Sequence, residues 1–131
     1  MVNCMMTIDE FQELAGEIVD QLPEAFFRKL NNGVIVQPQT KRDENSAPGA
    51  PLLVMGEYTH SYLMGQGVTL YYGSFIATYG GLDAERQREE LRRIIVHEFR
   101  HHLEWLSGTR ELADEDERQL AAYKRRFFPG E

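Results

Sequence analysis

From Asp83 to Leu106 the chain carries one continuous helical pattern, and its second half sets apolar side chains around a group of titratable ones. The first turns are charged, with Glu85, Arg86, Arg88, Glu89, Glu90, Arg92 and Arg93. Glu89 and Arg93 stand four residues apart in the favourable order, which suits a solvated helix face. Then Ile94, Ile95, Val96, Phe99, Leu103, Trp105 and Leu106 occupy nearly every side of the cylinder, the pattern of a central, buried helix. Gly80 and Gly81 break the chain before it, Asp83 is placed to cap it, and Gly108 is placed to end it. The rest of a 131-residue chain must pack against this helix, and that length suits one domain spanning residues 1–131.

The segments on either side supply partners for it. Thr7 and Glu10 have the spacing of a capping box, and Phe11, Leu14, Ile18 and Leu22 then share one helical face. Pro23 opens a further helical turn carrying Ala25, Phe26, Phe27 and Leu30, and Asn31-Asn32-Gly33 is a stop signal. Val34 to Gln37, Leu52 to Tyr58 and Val68 to Ile76 read as strands, the last rich in branched and aromatic residues. Lys41 to Pro51 reads as a surface loop and Thr59 to Gly67 as a turn region. Leu112 to Phe128 reads as a C-terminal helix. The fold class is therefore α+β: an N-terminal helix, a small sheet of three or four strands, a central helix and a C-terminal helix.

The apolar half of the central helix contains His97-Glu98-Phe99-Arg100-His101, an H-E-x-x-H motif. Four residues turn through about 400° on a helix, so the two imidazoles share a face one turn apart. One tetrahedral Zn²⁺ can then bind both, at roughly 2.0–2.1 Å each. Glu98 is rotated about 100° from His97 and can face water at the metal rather than the metal itself. Such a carboxylate can act as the general base that delivers water to a carbonyl. Chance places these residue types at these offsets in roughly 1% of chains of this composition, and polar groups at a buried position need a partner that a metal would provide.

A third ligand can come from Glu104, seven residues after His97 on the same face, or from the acidic run Asp114-Glu115-Asp116-Glu117 if the chain turns at Gly108 and returns. His102 points about 100° away from His101 and reads as a packing or supporting histidine. His60 reads as an ordinary exposed histidine in a turn, and the tyrosines Tyr58, Tyr62, Tyr71, Tyr72 and Tyr79 read as strand-packing residues.

These features together resemble the minimal zincin-like metallopeptidase family found in bacteria. The resemblance rests on Gly56-Glu57-Tyr58, on Val68-Thr69-Leu70-Tyr71-Tyr72-Gly73, on His97-Glu98-Phe99-Arg100-His101-His102 and on Asp116-Glu117-Arg118-Gln119-Leu120, and it extends from about Thr7 to Leu120. It implies a zincin-like minimal fold, a Zn²⁺ cofactor held by His97, His101 and Asp116, and peptide-bond hydrolysis with Glu98 as base. The chain departs from the family pattern where Glu104 replaces a glycine, where Ser107 stands at an acidic position, and where Trp105 to Ala113 forms an extra segment before Asp116. Glu104 therefore remains the alternative third ligand.

The expected substrate is a peptide or protein, lying extended beside the Val68 to Ile76 strand. The alternative is a non-catalytic module in which metal only staples the fold or serves a partner contact. A net charge of −7 argues against nucleic acid and against a polybasic membrane anchor. No apolar run approaches the roughly 20 residues that span a bilayer, and Met1 to Glu10 lacks the pattern of a signal peptide. A single cysteine, Cys4, suits a reducing compartment, so the expected location is cytoplasmic.

Overall fold

The computed structural model describes residues 5–43, 52–61, 63 and 65–109. Helix α1 spans Ile8–Asp20 and begins with the expected capping box. The Glu10 amide donates to Thr7 Oγ1 (3.1 Å) and the Thr7 amide to Glu10 Oε1 (2.9 Å). Two amides that a helix start leaves without partners are thereby satisfied. The hydrogen bonds of this box hold the Glu10 carboxyl below its ordinary pKa. A short 3₁₀ turn, Glu24–Phe27, follows Pro23.

Five strand segments come next: β1 (Gly33–Gln37), β2 (Lys41–Arg42), β3 (Leu53–Val54), β4 (Gly56–Ser61) and β5 (Gly65–Tyr71). The main sheet has the order β1-β5-β4, with β1 parallel and β4 antiparallel to the central β5. β2 and β3 form a separate antiparallel pair. Strand β4 therefore extends into the region expected to be a turn, because His60 and Ser61 pair with Gln66 and Gly65.

The strand expected over Val68 to Ile76 ends at Tyr71, and Tyr72–Tyr79 is a helix, α2. Two contacts explain the change. A Cβ at Gly73 would lie 2.4 Å from Thr40 Oγ1, so the chain turns where only glycine fits. Ser74, fully buried, receives the Lys41 amide (2.9 Å). Beyond the turn, Tyr72, Phe75 and Tyr79 recur at helical spacing, and Phe11 of α1 meets the rings of Tyr72 (5.5 Å) and Phe75 (5.2 Å).

Helix α3 spans Ala84–Thr109. The Arg86 amide donates to Asp83 Oδ1 (2.9 Å), which is the expected cap. Buried Gln87 donates its side-chain amide to the Tyr79 carbonyl (3.1 Å), joining the start of α3 to the end of α2. Leu91, Ile95, Phe99, Leu103 and Leu106 are wholly buried, and they meet Val68 and Leu70 of β5 and Phe11 and Ile18 of α1 in one core.

Two expectations for this helix are corrected. It is not apolar all round: Arg92, Arg93, His97, His101 and Glu104 form an exposed strip, so the two histidines face outward rather than into the interior. Nor does Gly108 end it, since α3 continues through Thr109. The helical break expected of a glycine is weak, costing about 1 kcal/mol relative to alanine, and a long packed helix absorbs it. The expected C-terminal helix from Leu112 to Phe128 lies outside the described residues, as does Asp116. Among the described residues no helix is long and apolar enough to cross a membrane.

Candidate metal centre

The His97 and His101 rings are neighbours on the exposed strip of α3, with centroids 5.2 Å apart and planes at 87°. The helical repeat alone produces this juxtaposition. The described residues contain no group of three His, Cys, Asp or Glu side chains arranged to hold a cation. Glu104 does not join the two rings: it is exposed, and its carboxylate pairs with Arg100 Nε at 3.2 Å. The donors that the described residues place together are thus the two imidazoles, a ligand type that zinc takes.

Glu98 is turned away from that strip and is 9% exposed. It lies against β4, where Gly56 makes room for it. A Cβ on Gly56 would sit 3.2 Å from Glu98 Cγ and 3.3 Å from both Ile94 and Leu70, so any larger residue would press the strand against the helix side chains. Burial raises the Glu98 pKa above the ordinary carboxylate value, while the charges of His97 and His101 and a hydrogen bond from the Tyr58 backbone pull it partly back. A carboxylate so placed binds a proton more readily than an exposed one, as a general base requires.

Among the described residues, strand β4 presents an open edge beside this carboxylate. The Tyr71 amide donates to the Met55 carbonyl (2.9 Å), which sets the phase of the antiparallel ladder. Alternation then spends the backbone groups of Glu57, Thr59 and Ser61 on β5 and turns those of Gly56, Tyr58 and His60 outward. The hydrogen bond from the Tyr58 backbone to Glu98 agrees with that phase. The peptide position expected beside β5 is corrected accordingly: β5 is paired on both sides, and β4 is the edge strand next to Glu98.

His102 is fully buried and takes no place beside His101. Its Nε2 lies 2.8 Å from the Arg28 carbonyl oxygen, which can only accept, so Nε2 carries the proton. Nδ1 therefore accepts from the Tyr58 hydroxyl, also at 2.8 Å. Burial lowers the His102 pKa and pushes that of Tyr58 up to about 12, keeping both neutral. The pair fixes β4 and the Arg28 turn to α3 directly behind the candidate centre.

On the opposite face of β4, Glu57 accepts from Lys41 Nζ (2.6 Å) and from the Tyr71 hydroxyl (2.5 Å). Those two bonds hold its carboxyl below the ordinary pKa against a smaller opposing effect of burial. A carboxyl with a depressed folded-state pKa contributes stability that is present above its unfolded pKa and is lost as pH falls through the folded value. The variant Glu57→Gln is expected to melt below the parent at neutral pH, with the difference shrinking as pH drops below about 4. Thermal melts of both proteins across that range check this.

Sequence reasoning passed over one further arrangement. His60 lies on β4, and its ring stands 5.2 Å from that of Trp105 on α3. The period-2 recurrence of Gly56, Tyr58 and His60 against Glu98, His102 and Trp105 on the helix was the available signal, hidden by reading Thr59 onward as a turn.

No family model matches the chain, and no curated protein matches it. Among solved structures, a conserved hypothetical protein from Thermus thermophilus is similar, with a TM-score of 0.66 and 34% sequence identity over 79% of this chain and 99% of that one. The chain belongs to the family of that conserved hypothetical protein. The likeness extends over nearly the whole of the solved member, and it carries the α+β architecture.

Proposed function

We propose that the chain is a zinc-dependent peptidase of the minimal zincin-like kind, acting in the cytoplasm on peptide or protein substrates. The observation that carries this reading is the buried Glu98 carboxylate, which lies near two adjacent imidazoles and against β4, the edge strand of the sheet among the described residues. His97 and His101 would hold the cation, with Asp116 as the third ligand; Glu104, the alternative, would first have to leave Arg100. When bound there, zinc supplies Lewis-acid activation of water and of the peptide carbonyl.

The remaining work falls to the chain's own groups. The outward N–H and C=O groups of Gly56 and His60, with the Tyr58 C=O, pair with an extended peptide and hold it in register, while the Tyr58 N–H stays on Glu98. Glu98 takes a proton from water as the water oxygen bonds to the carbonyl carbon. It passes that proton to the amide nitrogen as the C–N bond breaks. Its burial excludes competing solvent from the carboxylate and keeps its proton affinity high. The cytoplasmic setting rests on the single cysteine.

Elemental analysis of zinc-loaded, dialysed protein tests the reading together with a peptide-hydrolysis assay. One zinc per chain is expected, with hydrolysis lost on chelation and restored by zinc. The variant His101→Ala is expected to bind zinc at least about 100-fold more weakly. Failure of the parent to bind zinc would overturn the proposal, and bound zinc without hydrolysis would leave only a metal-stapled module.

A further inference from the structure

We infer that His60 and Trp105 form a side-chain subsite that selects an aromatic residue in the bound peptide, on the N-terminal side of the bond attacked. The inference rests on the peptidase reading for its scissile bond, and on separate observations for its platform.

The two rings occupy the end of the β4 edge beyond Glu98. Strand β4 and helix α3 run alongside one another, since Gly56 meets Glu98, Tyr58 meets His102, and His60 meets Trp105. Trp105 is half-buried and lies one helical turn past His101. One side of its indole is backed by the buried His102 ring, stacked at 5.9 Å with planes at 18°. His60 is exposed, and its ring lies against Trp105 at 50° while Nδ1 accepts from the Gln66 amide (3.3 Å). Both rings are thus held from behind before any ligand arrives, which lowers the entropic cost of binding against them.

Geometry then sets which residue of the peptide they meet. A peptide pairing antiparallel to β4 runs from the His60 end toward the Gly56 end. The step from Glu57 to His60 is about 10 Å at strand spacing, so the platform meets a side chain about three residues before the scissile bond. Side chains on that face of the strand point toward α3, where the indole and imidazole offer planar, apolar surfaces. A phenylalanine, tyrosine or tryptophan suits them through offset or edge contacts, with a gain of about tenfold in affinity over alanine.

Trp105 is the only tryptophan in the chain, so its emission reports directly on the subsite. The zinc-loaded Glu98→Gln protein is titrated with host peptides of alanine and serine in which a single phenylalanine is walked through each position. We expect one position to lower Kd about tenfold and to shift the Trp105 emission. In the double variant Glu98→Gln, His60→Ala that advantage should fall below about threefold. Equal affinity at every position, tighter binding of lysine than of phenylalanine at the favoured position, or an equal effect of His60→Ala on all peptides would each overturn the subsite. Hydrolysis is not needed for this readout. A parent that binds as expected but cleaves nothing would sink the peptidase reading and leave the aromatic subsite standing.

Discussion

Glu98→Gln is expected to retain zinc and to lose peptide hydrolysis by about 10³-fold, the scale of a removed general base. Glutamine keeps the volume of the side chain and an oxygen able to accept from the Tyr58 backbone, so the approach of β4 over Gly56 is preserved. It cannot accept a proton from water at neutral pH, so the defect should appear in kcat rather than in KM. Stability provides an independent check. A carboxyl whose folded-state pKa is raised contributes most stability at low pH and loses it as pH climbs through the folded value. The metal-free Glu98→Gln protein should therefore melt no lower than the parent at neutral pH, and above it at higher pH. Hydrolysis by the variant at the parental rate would remove Glu98 from the chemistry. A variant that is inactive because it is unfolded would show itself in the melt.

Phe99→Ala should cost about 4 kcal/mol, the middle of the range for emptying a buried aromatic site. Phe99 is wholly buried, with ring centroids 6.0 Å from Phe26 and 5.5 Å from Phe27, the latter edge-on. These three rings join the middle of α3 to the 3₁₀ turn, so removing one leaves the other two facing a void. A domain of this size has about 5–15 kcal/mol of total stability, so the loss is a large fraction of it. Phe99→Leu, which keeps most of the volume, should cost about 1–2 kcal/mol. Urea titrations of the two variants and the parent measure both, and near-equal midpoints for Phe99→Ala and the parent would show that the core is not organised around this ring.

Local signals in the sequence were read well where the physics is local. The capping box at Thr7 and Glu10 and the cap at Asp83 depend on side chains three residues from the amides they satisfy. The turn after Tyr71 was missed because Val68 to Ile76 is branched and aromatic nearly throughout, whereas the contacts that bend it there come from Thr40 and Lys41, some 30 residues earlier. In the same way, the spacing of His97 and His101 is enough to place their rings together, but their exposure depends on what packs around α3. The neutral, doubly bonded state of His102 needs the Arg28 carbonyl, which only the folded chain brings to it. Glu104 offered suitable spacing to a metal, but it stands four residues from Arg100 on the same helix, and the carboxylate pairs there instead.

The mixed pairing of the main sheet has a consequence for how the molecule assembles. β4 and β5 are adjacent in the chain and close as a hairpin from Ser61 and Gly65, which takes microseconds for a short connection. β1 lies parallel on the other side, with Val34 opposite Val68, so 34 residues must be gathered before that ladder can start. The chain at Gly67 comes so near the start of β1 that a Cβ there would meet that of Asn32 at 2.9 Å. The hairpin carrying the edge beside Glu98 can therefore form before β1, which must close the longer loop, is added to its other side.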